Sequence, residues 1–227
     1  MGLQLLGGFL LHADGKVVDI PLSSQRVAAF VALHDGPVMR PRVAGSLWLE
    51  YPEERAAANL RSALWRLNAC GAEVVVSRGC HLALGEDVRV DLHELERITN
   101  GTATGFDQAM VPLAQRDLLP DWYDDWIVLE RERVRQRGLH ALESLCLSLA
   151  AEGQYARSID VGLIAVAADP LRESAQRAVI VAHLAEGNRG EAIRQFDRYR
   201  TLVRAELGVD PSSAIVSLLA DGELQTA

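Results

Sequence analysis

Two pieces of punctuation 34 residues apart constrain this chain more than any other feature. Ala151-Glu152-Gly153-Gln154-Tyr155 returns as Ala185-Glu186-Gly187-Asn188-Arg189, and each falls between two helical patterns. Asp169-Pro170 and Asp210-Pro211 close the helices that follow. Apolar residues recur at helical spacing over Tyr155–Ala168, Leu171–Glu186 and Arg189–Leu207, and a longer periodic segment begins at Asp121. A 34-residue period of paired helices is the signature of tetratricopeptide repeats, which bury their apolar faces only by stacking on neighbours. The second half is therefore expected to be all-α and tetratricopeptide-like.

The first hundred residues mix strands with helices. Leu3–Leu11 and Val17–Ile20 are predicted as short strands joined by the turn signal Ala13-Asp14-Gly15. Ser23-Ser24 is expected to cap a helix reaching about His34, ended by Asp35-Gly36-Pro37. A second short helix should run from Pro41 to about Leu49. Tyr51-Pro52-Glu53-Glu54 reads as the connection to a third helix over residues 54–69. Glu73–Ser77, the turn Arg78-Gly79 and His81–Leu84 then form a hairpin, with Val88–Val90 as a further strand. The polar segment Thr99–Gly105 is the best boundary, dividing the chain into domains 1–98 and 106–227.

The third helix, ERAAANLRSALWRLNA, decides between two readings. Successive residues spaced by 100° put Ala57, Leu60, Leu64 and Leu67 on one apolar stripe. Arg55, Asn59, Ser62 and Arg66 fall opposite, with Ala58 beside them and Arg61 and Trp65 flanking. Taken alone, the pattern favours an ordinary solvated face. The order of elements reverses that preference, because strands, three helices and a hairpin with an Arg-Gly tip make a winged helix-turn-helix. In that arrangement the third helix enters the major groove and the wing touches backbone or minor groove. Arginine and asparagine pair in bidentate fashion with guanine and adenine edges. Arg55, Asn59, Ser62 and Arg66 are thus candidate base contacts, Arg40 and Arg42 candidate phosphate contacts, and Arg78 the wing cation.

A formal charge of −8 looks hostile to DNA, but it is unevenly placed. Residues 40–79 hold six arginines against Glu50, Glu53, Glu54 and Glu73, whereas residues 99–227 hold 13 basic and 19 acidic side chains. The acidic total still predicts weak nonspecific affinity, so a repeated site, a partner, or both is expected.

Other chemistries find little support in the sequence. Cys70, Cys80 and Cys146 form no C-x-x-C pair, and Cys80-His81 with Cys70 matches no zinc spacing, so neither a disulfide framework nor a metal site is expected. The six histidines show no i, i+4 pairing, and no Ser-His-Asp or glycine-rich phosphate motif occurs. No catalytic residue and no cofactor is expected. The apolar run Val161–Ala168 is far short of the roughly 20 residues of a membrane span. MGLQLLGGFLL has neither a basic leader nor a small-residue cleavage site, so a cytoplasmic, nucleoid-associated protein is expected. Asp121-Trp122-Tyr123-Asp124-Asp125-Trp126 invites a metal reading. Helix capping with aromatic anchoring between domains accounts for it better.

Four blocks carry a resemblance over nearly the whole chain: DLLPDWYDDWIVLERER (117–133), DPLRES (169–174), HLAEGN (183–188) and YRTLVRAELGVDP (199–211). With the winged helix before them, they resemble the Streptomyces antibiotic regulatory proteins. These join an OmpR/PhoB-type winged helix to a bacterial transcriptional activator domain. The resemblance implies an activator of a secondary-metabolite gene cluster that binds direct repeats in promoter DNA; whether two copies form a homodimer in solution or only pair on tandem sites stays open. It also implies recruitment of RNA polymerase holoenzyme through its sigma factor. Leu49–Glu54 corresponds to the loop that touches polymerase in OmpR-like activators, which makes Glu50, Glu53 and Glu54 candidate polymerase contacts. The wing departs from the family, with Cys80-His81 where Gly-Tyr is usual. A second reading stays open: a tetratricopeptide-type adaptor or ligand-binding protein whose winged helix mediates protein contacts.

Overall fold

The structure, a computed structural model, describes residues 1–69, 73–99 and 111–221. Packing divides the chain into two units, Met1–Glu96 with Arg116–Val134, and Arg97–Gln115 with Arg135–Ala227.

The first unit opens with a sheet of order β3-β2-β1-β7. Strands β1 (Gly2–Gln4), β2 (Leu10–Ala13) and β3 (Lys16–Val17) are antiparallel, and β7 (Arg89–Val90) returns parallel to β1. The expected single strand Leu3–Leu11 is therefore two, with Leu3 opposite Leu11. Gly7 and Gly8 account for the break: their φ values of +81° and +137° are open to glycine and rarely to anything else.

Helix α1 (Leu22–Ala32) starts before its expected cap at Ser23-Ser24. Its N-cap is Pro21, with no side-chain hydrogen bond. Ser24 lies inside the helix, fully buried, and its hydroxyl donates to the Ala63 carbonyl at 2.9 Å. The serine that looked like a cap thus ties α1 to the third helix. After α1 the chain forms β4 (Val38–Met39), α2 (Arg40–Leu47) and α3 (Glu53–Ala69). Pro41 sits in the first turn of α2, where its missing N–H costs nothing. Strands β5 (Val75–Arg78) and β6 (His81–Leu84) form the hairpin, and β4 pairs with β6 to complete a sheet of order β4-β6-β5. This is a winged helix: three helices against a hairpin, preceded by a small sheet. Neither β4 nor α4 (Asp91–Thr99) was expected from the sequence.

Residues 116–134 close this unit, so division by packing and division by sequence fall at different places. Gly7 N–H donates to the Asp117 carbonyl (2.8 Å) and Leu119 N–H to the Leu5 carbonyl (3.0 Å). Leu119 is fully buried at φ +43°, an uncommon backbone for a branched residue. The Arg131 guanidinium holds this bend by donating to the carbonyls of Leu118, Leu119 and Trp122 at 2.7–2.9 Å. The aromatic anchors expected between domains pack within the first unit. Trp122 stacks on Phe9 (6.0 Å between centroids), and Trp126 meets the Phe30 ring edge-on (5.2 Å). Arg26 pairs with Asp124 beside them.

The second unit is helical. It includes α5 (Val111–Ala114), the later part of α6 (Asp125–Ala151), α7 (Tyr155–Ala168), α8 (Glu173–Ala185), α9 (Arg189–Leu207) and α10 (Ser213–Asp221). The long helix starts at Asp125 rather than Asp121, because residues before it are held in the bend at Leu119. Neighbours α7 and α8 pack together, as do α8 and α9. The repeated punctuation makes the same closure twice: Gln154 N–H donates to the Leu149 carbonyl and Asn188 N–H to the His183 carbonyl, both at 2.8 Å. Gly153 (φ +75°) and Gly187 (φ +84°) supply the left-handed residue that this helix ending requires. At Gly162 the helices come so close that a β-carbon would lie 2.7 Å from Val179 and 2.9 Å from the Cys146 sulfur. DPLRES is a structural knot, in which Arg172 (2.5 Å) and Ser174 (2.8 Å) both donate to Glu143.

Candidate nucleic-acid interface

Helix α3 is fixed by a stripe of Ala56, Leu60, Ala63, Leu64 and Leu67, all buried. The expected stripe had Ala57 in place of Ala56 and Ala63. The centre of the buried face is rotated accordingly, and the outer face moves with it. With residues 100° apart, Ala58, Ser62 and Trp65 stand roughly 145–175° from the buried centre, whereas Asn59 stands only about 85° away. Asn59 is half-buried, while Arg55, Arg61, Ser62 and Arg66 are exposed. Trp65 is 72% exposed, which the sequence reading, placing it at the flank, did not anticipate. The signal was available: two alanines seven residues apart, Ala56 and Ala63, let α3 lie close against its neighbours, as the Ser24–Ala63 bond requires.

From Ala56 to Ala69 the helix has no carboxylate, so its outer face offers cations and neutral groups only. Ser62 turns its hydroxyl back to the Ala58 carbonyl (3.1 Å) and leaves a small surface beside Ala58. Arg55 lies over the Tyr51 ring, 5.2 Å from its centroid, which restrains it at the start of the helix.

The flanking cations are positioned by the wing. Arg40 begins α2, and its N–H donates to the Cys80 carbonyl at 2.9 Å. Its guanidinium donates to the Ser77 hydroxyl at 3.1 Å. The hairpin and the start of α2 are therefore one rigid piece, with Arg42 exposed next to them. Arg78 ends β5, rather than lying in the turn, because Arg78 and His81 are partners in register and Gly79-Cys80 make the turn. Gly79 takes φ +63° there. Arg78 pairs with Glu86 at 2.8 Å, with 54% and 86% of the two side chains exposed. Such a pair is worth about 0–1 kcal/mol, so exchange for a phosphate costs little. In the Cys80-His81 departure, the Cys80 sulfur lies 3.3 Å from His81 Nδ1 and His81 is half-buried.

Glu50, Glu53 and Glu54 are all exposed. Glu53 and Glu54 belong to the first turn of α3 and not to the connection, because a carboxylate is stabilised at the positive end of a helix. A groove of about 430 Å³ runs between α2 and α3, walled by Ala44, Trp48, Leu49, Tyr51 and Leu60 and rimmed by Arg40, Glu53 and Arg61. Among the described residues no group of three His, Cys, Asp or Glu is placed to hold a metal ion, and no helix is long and apolar enough to cross a membrane. Cys70 lies outside the described residues.

Comparison with known proteins agrees with this architecture. Residues 102–221 match the bacterial transcriptional activator domain. The chain is 24% identical over 245 residues to "Regulatory protein DnrI" of Streptomyces peucetius, covering 96% of this chain and 90% of that protein. Among solved structures it is similar to Mycobacterium tuberculosis EmbR in complex with a low affinity phosphopeptide, with a TM-score of 0.77 and 20% identity. That likeness covers all of this chain and 65% of the EmbR chain, and it establishes the shared fold of a winged helix followed by a helical domain. The chain belongs to the bacterial transcriptional activator domain family and is a transcriptional activator of the Streptomyces antibiotic regulatory protein type.

Proposed function

We propose that this activator binds direct repeats in promoter DNA, places α3 in the major groove, and recruits RNA polymerase to a secondary-metabolite gene cluster. One observation carries the reading: α3 presents a carboxylate-free outer face flanked by cations that the wing holds in place. Arg55 and Arg66 are the base-reading candidates, Arg40 and Arg42 meet phosphates, and Arg78 exchanges Glu86 for backbone. Ser62 allows close approach, and Asn59 sits at the edge of the contact, where only a bound groove wall reaches it. Exposed Glu50, Glu53 and Glu54 face polymerase, with its sigma factor as the basic partner. The helical half is tetratricopeptide-like, supported by the closure that recurs after 34 residues. Two copies pair on tandem sites.

Footprinting the promoters beside the gene, followed by a salt titration of the full chain on the protected fragment, tests this. A protected direct repeat and a log K falling linearly with log salt are expected. No specific complex at low salt on any such promoter would refute the reading.

A further inference from the structure

We infer that Trp65 is a specificity-determining residue whose ring reads a thymine methyl group in the major groove. The inference rests on the proposed role of α3. A residue of this size at the centre of a helix's outer face, 72% exposed, leaves a large apolar surface in water unless something covers it. The rest of that face says what covers it. Ser62 and Ala58, one and two turns earlier, are small and let a groove wall approach. Arg61 and Arg66 flank the ring, and no carboxylate lies between Ala56 and Ala69 to repel a polyanion. The Ser62 hydroxyl already has the Ala58 carbonyl as its partner, so the middle of the face works by shape and apolar contact. The apolar group exposed in the major groove is the C5-methyl of thymine, and it is the feature an indole ring can distinguish there.

The test uses the full chain on its footprinted operator, each thymine in turn replaced by deoxyuridine, which removes only the methyl group. At one thymine in each repeat the substitution should weaken the wild type roughly fourfold, the effect of burying one methyl group. Trp65→Ala should bind more weakly and be indifferent to that substitution. Trp65→Phe should keep part of the sensitivity. Because the ring is exposed, both variants should unfold at the wild-type temperature, which separates lost contact from lost fold. If no thymine is methyl-sensitive in the wild type, or Trp65→Ala keeps the same sensitivity, the inference is overturned while the recognition-helix reading stands. If Trp65→Ala loses transcription but keeps methyl-sensitive binding, a protein covers the ring and the inference is again overturned. Absence of any wild-type footprint defeats the recognition-helix reading itself.

Discussion

Arg78 holds Glu86 at 2.8 Å while both groups remain mostly in solvent, so the pair adds little stability and leaves the arginine available. Arg78→Ala should change thermal stability by no more than about 0.5 kcal/mol, yet lower operator affinity and reduce the salt slope by about 1. A variant that left the slope unchanged would remove Arg78 from the DNA contact. In the helical unit Tyr199 behaves differently. Burial, then repulsion by the Glu173 carboxylate that its hydroxyl meets at 3.3 Å, pushes its pKa from 10.0 up to about 12. Burial also works to raise Glu173, but hydrogen bonds from Ser212 and from Tyr199 outweigh it and hold this carboxyl below its ordinary value. The signs are opposite. The phenol's contribution to stability is complete below its ordinary 10 and is lost as pH rises through about 12. The carboxylate's contribution is present above its ordinary 4.5 and fades as pH falls through the lowered value. One phenol should ionise near 12, and Tyr199→Phe should remove that step from a phenolate absorbance titration. None of this pairing was legible in the sequence, because Glu173, Tyr199 and Ser212 meet only through the packing of three helices.

Helices were legible in the sequence in proportion to their periodicity. Tyr155–Ala168 and Arg189–Leu207 form with the expected limits, since a repeated glycine precedes each start, Asp-Pro follows each end, and the apolar residues recur without ambiguity. Short strands were not. Leu3–Leu11 is an apolar run in which only the φ values of Gly7 and Gly8 reveal a reversal, and β4 is two residues long, defined by its partner β6 alone. Helix α3 was legible as an element but not in its rotation, because alanine counts weakly in a hydrophobic pattern. Ala56 and Ala63 are buried by close approach, and that shift brings Trp65 to the centre. The groove beside it ends at Glu53, exposed on the first turn. Glu53→Lys should leave operator affinity within about twofold, since the residue lies at the far end from Trp65 and Arg66, and should lower transcription with purified polymerase. Unchanged transcription would exclude this turn as the polymerase contact. A modest loss of helix stability, about 0.3–1 kcal/mol, is expected from placing a cation at the helix N-terminus.

Across the whole molecule the charge is partitioned: six of the eight surplus negative charges lie in residues 99–227. Packing does not keep that acidity apart: Arg116–Val134, with six acidic and three basic side chains, belongs to the first unit, so the first unit carries −6 and the second −2. The sequence boundary at Thr99–Gly105 marks where composition changes. Of that segment only Thr99, the last residue of α4, is among the described residues. Packing obeys a different rule, because Leu118, Leu119, Trp122 and Ile127 are buried in the first unit. Each such side chain contributes about 1.5–3 kcal/mol by burial. A fragment ending at residue 134 should therefore unfold cooperatively at a clearly higher temperature than one ending at residue 98. Equal melting temperatures would mean that the closing segment adds nothing. The Arg131 clamp on the bend at Leu119 sets a rule for anyone grafting activator domains between relatives. A chimera joined in the polar segment near residue 100 would mate one protein's sheet to another's clasp. A joint made inside α6, after Val134, would carry each winged-helix unit away with its own clasp intact.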